Sequence, residues 1–103
     1  MNPIRVLIAD DHELVRAGLR LLLERISGLD VIGEAANGRE ALQQIEKLAP
    51  HVVLMDVMMP ELNGLEATAR AANHFPNTRI IILSMNSGQE FVRSKRWPAA
   101  RHF

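Results

Sequence analysis

Three carboxylates close apolar runs in this chain: Asp10 and Asp11 follow IRVLIA, and Asp56 follows VVLM. Ser84 stands near the end of a third run, RIIILSM. Acids at the ends of core strands can meet at one sheet edge. There, three like charges are costly unless a cation offsets them or a proton stays bound. A hard divalent ion with oxygen ligands suits such a set, and Mg²⁺, keeping several of its waters, suits it best. Pro60, Asn63 and Gly64 follow Asp56 and mark a loop that opens a helix. The chemistry on offer is an acidic Mg²⁺ pocket with a reactive carboxylate.

The elements that must position these residues are legible as apolar runs alternating with helical patterns. Residues 4–9 read as a short buried strand. Val15, Leu19, Leu22, Leu23 and Ile26 then recur at helical spacing, and Gly28 closes that helix. Residues 31–35 read as a second, weaker strand. Asn37-Gly-Arg-Glu40 has the form of a capping box and starts a helix through Ala41, Leu42, Ile45 and Leu48, which stops at Pro50. A third strand is read at 51–55. Asn63-Gly-Leu-Glu66 repeats the cap before an Ala-rich helix ending near Phe75-Pro76. The fourth strand is read at 79–85, and Ser87-Gly-Gln-Glu90 caps a fourth helix. Continuous apolar strands between amphipathic helices imply a parallel sheet covered on both faces. Right-handed crossovers make it a doubly wound α/β sheet. In such a sheet ligands bind at the carboxyl edge. If the first and third strands are neighbours, Asp10, Asp11 and Asp56 converge there.

The bulk numbers agree with one small domain. The chain has 103 residues, 48% hydrophobic and 23% charged, within the range of folded proteins. Twelve basic and twelve acidic side chains balance, so net charge favours neither nucleic acid nor membrane as a partner. Residues 1–93 hold nine basic and twelve acidic groups, whereas 94–103 hold three basic and none acidic. We therefore read a domain over 1–93 and an atypical basic tail over 94–103. The absence of cysteine removes any disulfide or thiolate metal site and suits a cytoplasmic location. No signal peptide is evident, and no apolar run approaches the roughly 18 residues of a membrane span.

Each residue has a plainer reading by itself. An Asp at a strand end commonly caps a helix, an Asp pair suits the helix dipole, and Ser84 alone is a strand serine. Their joint arrival at three strand ends favours a functional site. Met58 and Met59 are read as loop packing beside hard carboxylates rather than a soft-metal site. His12 is read as a solvated residue entering a helix, not a ligand, and His51, His74 and His102 are assigned nothing.

Taken together, Asp10-Asp11, Asp56-Val-Met-Met-Pro60 with Gly64, and Ser84 resemble the receiver domain of two-component response regulators. The closest likeness is to the subfamily whose output is a LuxR-type helix-turn-helix. The resemblance covers about residues 3–93. It implies a flavodoxin-like fold and a phosphoryl group passed from a histidine kinase to Asp56. It also implies Mg²⁺ held by Asp11 and Asp56, by Asp10 directly or through water, and by the backbone carbonyl of Met58. Ser84 would be the hydroxyl that hydrogen-bonds the phosphate.

The resemblance breaks near Ser94. Family receivers continue to a fifth strand ending in a lysine, then a fifth helix; this chain ends 19 residues after Ser84. Lys95 lies only eleven residues after Ser84 and is no substitute by spacing, and Trp97 is not promoted to the family's aromatic switch. The expected sheet order is 2-1-3-4, with the fifth strand and helix missing and the chain truncated or frame-shifted. Strand 79–85, from Arg79 to Met85, would then be an open apolar edge, inviting a homo-oligomer. Phosphorylation-driven switching would be impaired. No DNA-binding segment is read in these residues. One alternative is a degenerate receiver acting as an interaction module without phosphorylation. Another is a phosphatase of the haloacid dehalogenase type, which wants a second Asp where this chain has Met58.

Overall fold

The computed structural model describes residues 2–59, 63–83 and 100–102. Along them run β1 (Ile4–Ala9), α1 (Glu13–Glu24), β2 (Leu29–Ala35), α2 (Gly38–Leu48), β3 (Val52–Asp56), α3 (Gly64–His74), β4 (Arg79–Leu83) and β5 (Ala100–His102). All the strand pairs are parallel, in the order β2-β1-β3-β4-β5. The first four strands stand in the expected order.

β1 lies between two partners and is buried from Val6 to Ala9, as a central parallel strand must be. Alternation divides its side chains between two faces. Leu7 and Ala9 join one contiguous core with Val53, Met55, Ile80 and Ile82 of the sheet, Ala41 and Ile45 of α2, and Ala67 and Ala71 of α3. Alanines at the helix contacts let the backbones approach closely. Val6 and Ile8, at the alternate positions, face the side on which α1 packs against β1 and β2.

The pairing of β1 with β2 contains one irregularity. Val6 is opposite Val31, but Leu7 is opposite Gly33, so Ile32 is skipped and the rest of β2 is advanced by one residue. Beyond the skip, Ile8 faces Glu34 and Ala9 faces Ala35.

Local chemistry sets the helix ends. Asn37 Oδ1 accepts from the Glu40 N–H at 2.8 Å, and Asn63 Oδ1 accepts from the Glu66 N–H at 2.9 Å. Both caps are where the sequence places them. Glu40 reaches back to the Ala36 N–H at 3.0 Å, one residue earlier than the usual reciprocal bond. Ala49 ends α2 in the left-handed region at φ 47°. His51, given no role from spacing, accepts from the Arg5 N–H at 2.9 Å through Nδ1 and so ties the starts of β1 and β3 together.

Two expectations change at the far edge of the sheet. A fifth strand was not expected, yet β5 pairs with β4 through Ile80↔Ala100, Ile81↔Arg101 and Ile82↔His102. β4 is therefore not an open edge over those residues, and the motive for an oligomer through it is removed there. The physical reason is the edge itself. An apolar strand with a row of unpaired N–H and C=O groups is a template for any segment that reaches it. The fourth helix read at Ser87 and the strand end at Met85 lie outside the described residues. On the other side, α1 buries none of its residues completely, and Leu14, Leu21, Leu22 and Ile26 are exposed.

A chain stopped at residue 99 should lose the cover on Ile80–Ile82. Light scattering is expected to show association or reduced solubility for it, and a lower melting midpoint than for the full chain. Identical mass and midpoint would show that β5 contributes nothing to the edge.

Candidate functional site

Asp10 directly follows β1, and Asp56 is the last residue of β3. The two strands are neighbours with Ala9 opposite Met55, so the acids emerge side by side at the carboxyl edge. Asp10, Asp11, His12 and Asp56 each bring one possible ligand atom into a group whose members all lie within 4.8 Å of one another. Asp10 and Asp56 are buried, whereas Asp11 and His12 are exposed. The convergence expected of the three carboxylates is thus present. His12, read from the sequence as a solvated residue entering a helix, is exposed and also lies against the acid pair. Its Nδ1 lies 3.1 Å from Asp10 Oδ1 and 3.0 Å from Asp11 Oδ1.

The backbone explains why. Asp10 Oδ1 accepts the His12 N–H at 2.8 Å, a turn that reverses the chain into α1 and swings the imidazole over the acid pair. The Asp10 N–H donates to Ala35 O at 3.0 Å, and its carbonyl accepts from Arg16 Nη1 at 2.7 Å. Arg16 Nε also donates to Glu34 Oε1 at 3.1 Å, and Arg20 Nε to Glu34 Oε2 at 2.7 Å. The Arg20 bond first, then that of Arg16, holds the Glu34 carboxyl below its ordinary pKa. This clamp from α1 to β2 fixes the position of Asp10, and sequence reasoning passed over it. The available signal was Arg16 and Arg20, one helical turn apart, with Glu34 as the lone acid of the apolar run read at 31–35.

The loop after Asp56 is held as firmly. The Met58 N–H donates to Asp56 Oδ1 at 3.2 Å, the Val57 N–H to Leu83 O at 3.3 Å, and the Gly64 N–H to Val57 O at 3.0 Å. Gly64 is required by close approach. A Cβ there would lie 1.9 Å from the Asp56 carbonyl oxygen and 2.9 Å from Val57 Cα, both of them backbone atoms that cannot swing aside. Met59 is buried and joins the core, whereas Met58 is exposed, so the packing assignment holds for Met59 and not for Met58. Ser84 and Pro60 lie outside the described residues.

Charge in this cluster is poorly accommodated by the protein alone. The Asp56 pKa is pushed up to about 6, chiefly by burial and then by the charges of Asp10 and Asp11, against the pull of the Met58 N–H and His12. His12 is raised by its hydrogen bond to Asp10 and by the charge of Asp11. Asp10 Oδ2 is buried with no hydrogen-bond partner among the described residues. An orphaned carboxylate oxygen among further hard oxygen donors fits Mg²⁺. In the absence of metal, native Asp56 binds a proton more tightly than the unfolded chain does. Stability therefore falls as pH rises from about 4 to about 6.

A family model described as the response regulator receiver domain matches residues 6–98. The transcriptional regulatory protein YhcZ of Bacillus subtilis, itself described as uncharacterized, is 47% identical over 89 residues. That alignment covers 86% of this chain and 42% of YhcZ. The response regulator UvrY of Escherichia coli is 48% identical over 84 residues, covering 82% of this chain and 38% of UvrY. The chain thus spans about two fifths of the length of these relatives. Among solved structures, the isolated receiver domain of RcsB from Salmonella enterica serovar Typhimurium, in the presence of phosphomimetic BeF₃⁻, superposes with a TM-score of 0.83 at 33% identity. That match covers 90% of this chain and 70% of the other. The receiver domain of the putative regulator NarL from Mycobacterium tuberculosis gives 0.84 at 31% identity, covering 90% and 75%.

Two stability measurements test this geometry. In EDTA at pH 7, Asp56→Asn should melt higher than the parent, by about 1–2 kcal/mol after allowance for screening at the site's mouth. The gain should vanish near pH 4, and a gain independent of pH would rule out the buried charge as its cause. Gly64→Ala should cost about 1–3 kcal/mol; an unchanged melt would show that the start of α3 can move off Asp56.

Proposed function

This chain belongs to the response regulator receiver domain family, and from that premise we propose that Asp56 accepts a phosphoryl group from the phosphohistidine of a sensor histidine kinase. Receiver domains of response regulators are signalling proteins, and the change of state lies in one side chain. The observation that carries the reading is the burial of Asp56 beside Asp10 and Asp11, with an Asp10 oxygen left without a partner.

In the proposed step an Asp56 carboxylate oxygen forms a bond to phosphorus, and the bond from phosphorus to the imidazole nitrogen breaks. With a pKa of about 6, Asp56 is mostly ionised at neutral pH and available as the nucleophile. Its burial strips away water that would otherwise shield it. The N–H of Met58 fixes one carboxylate oxygen at 3.2 Å, which leaves the other to react. Asp11 and Asp56, Asp10 directly or through water, and the Met58 backbone carbonyl would hold Mg²⁺. The ion, when bound, supplies positive charge to the transferring group. Ser84 is assigned the hydroxyl that hydrogen-bonds the phosphate once it is on Asp56.

The site lies at the carboxyl edge, as in other open α/β sheets. No helix among the described residues is long and apolar enough to cross a membrane, and a cytoplasmic place of action is part of the proposal. DNA contact is not proposed for these residues. YhcZ is named a transcriptional regulatory protein, and any such output is a property of that whole protein.

Incubation with acetyl phosphate and Mg²⁺ should add one phosphoryl group, read by intact-mass spectrometry. The label should need Mg²⁺ and be absent from Asp56→Ala. Labelling of that variant equal to the parent would defeat the assignment. A parent that takes no label would instead favour an interaction module that works without phosphorylation.

A further inference from the structure

The planar peptide between Asp10 and Asp11 joins two of the three acids, and rotating its plane would swing both carboxylates. It follows the last pairing of β1. Ala9 lies opposite Ala35 and Met55, and the next N–H, of Asp10, still reaches Ala35 O at 3.0 Å. The Asp10 carbonyl lies past that ladder, and Arg16 Nη1 donates to it at 2.7 Å. The bond from the His12 N–H to Asp10 Oδ1 fixes the side chain relative to this backbone. The bond from Arg16 fixes the backbone relative to the sheet.

The guanidinium is itself located by a strand. Arg16 Nε donates to Glu34 Oε1 at 3.1 Å, and Arg20 Nε donates to the other oxygen, Oε2, at 2.7 Å. Glu34 stands on β2 opposite Ile8, two positions short of Asp10. α1 buries none of its residues completely, so the tie to Glu34 seats Arg16 more firmly than apolar packing of its helix does. Glu34 and Glu24 balance the two arginines, so the network brings no net charge to the acids. What it supplies is direction, from a planar fork that spans the carbonyl and the carboxylate at once.

We propose that Arg16 is a positioning residue of the acidic pocket. By holding the Asp10 carbonyl it sets the angle at which Asp10 and Asp11 face Asp56, and with it the affinity for Mg²⁺ and the rate at which Asp56 is phosphorylated. The proposal rests on the pocket being the phosphoacceptor site and adds to it a residue outside the ligand set. Partners of this kind, one bond removed from a ligand, commonly govern metal affinity by about tenfold or more.

Mg²⁺ calorimetry, melting in EDTA and labelling by acetyl phosphate are compared for the full chain and its variants Arg16→Gln, Arg16→Lys and Thr78→Val. The last removes the bond from Thr78 Oγ1 to Pro50 O at the amino ends of the strands and is the control for lost stability alone. Arg16→Gln is expected to bind Mg²⁺ about tenfold more weakly and to label more slowly at sub-saturating Mg²⁺. Arg16→Lys keeps the charge but not the fork, and should stay at least about threefold weaker than the parent. Thr78→Val should melt lower with its Mg²⁺ affinity unchanged. Unchanged affinity in both Arg16 variants, whatever their melting points, would reduce Arg16 to a strut of the fold. Full recovery in Arg16→Lys would assign the effect to charge, and weaker binding in Thr78→Val would assign it to stability; either overturns the proposal. Should Arg16→Gln not fold, Arg16→Lys alone decides. A parent that binds no Mg²⁺ or takes no label would sink the phosphoacceptor reading, and this proposal with it.

Discussion

Negative charge enclosed at the carboxyl edge of a parallel sheet is the constraint around which the chain is arranged. Asp10 and Asp56 are almost fully buried, and Asp11 stands over them. In a low-dielectric setting such a group is stable only with protons, cations or aimed N–H donors. The chain supplies the third remedy sparingly, through the backbone N–H groups of His12 and Met58. It leaves the remaining deficit as a demand for a cation. A site fully satisfied by its own protein would have nothing left to offer a ligand.

That deficit is held in place by contacts that carry no charge of the site themselves. Close approach at Gly64 presses α3 onto the backbone of Asp56, and two arginines of α1 grip Glu34 of β2 while one of them holds the Asp10 carbonyl. The acids thus sit on rigid strands, with their exits braced by two helices on opposite faces. Such bracing keeps unfavourably placed like charges from drifting apart.

The parts of this arrangement that were legible in the sequence are those decided locally. β1 matches its reading at both ends, since five apolar residues and Arg5 run into an Asp pair. The Asn37 and Asn63 caps are in place because an Asn followed three residues later by Glu carries its own hydrogen-bond logic. β2 extends two residues earlier than read, because Leu29 and Asp30 are recruited by pairing with Ile4 and Arg5. β5 had no strand signature of its own, being drawn in by the unpaired edge of its neighbour. His12 is exposed at the start of α1 as read, but its contact with the acid pair depends on which way a turn folds, and the Arg16–Glu34 clamp was missed because it joins residues 18 apart.

The skipped Ile32 has a larger effect than its size suggests. Were Ile32 paired with Leu7 instead of skipped, Ala9 would lie opposite Glu34 and Ile8 opposite Gly33, since side chains on a ladder change face with every single step. Glu34 would then point into the layer filled by Ala41 and Ile45, a carboxylate among aliphatic groups, and Arg16 would lose its counterpart. The extra residue acts as a phase shifter: it lets the first half of β2 keep Val31 on the α1 side and returns the second half to the same side with an acid. Pairing Ile32 in register, with no change in composition, would therefore turn the wiring of this edge over by half a period.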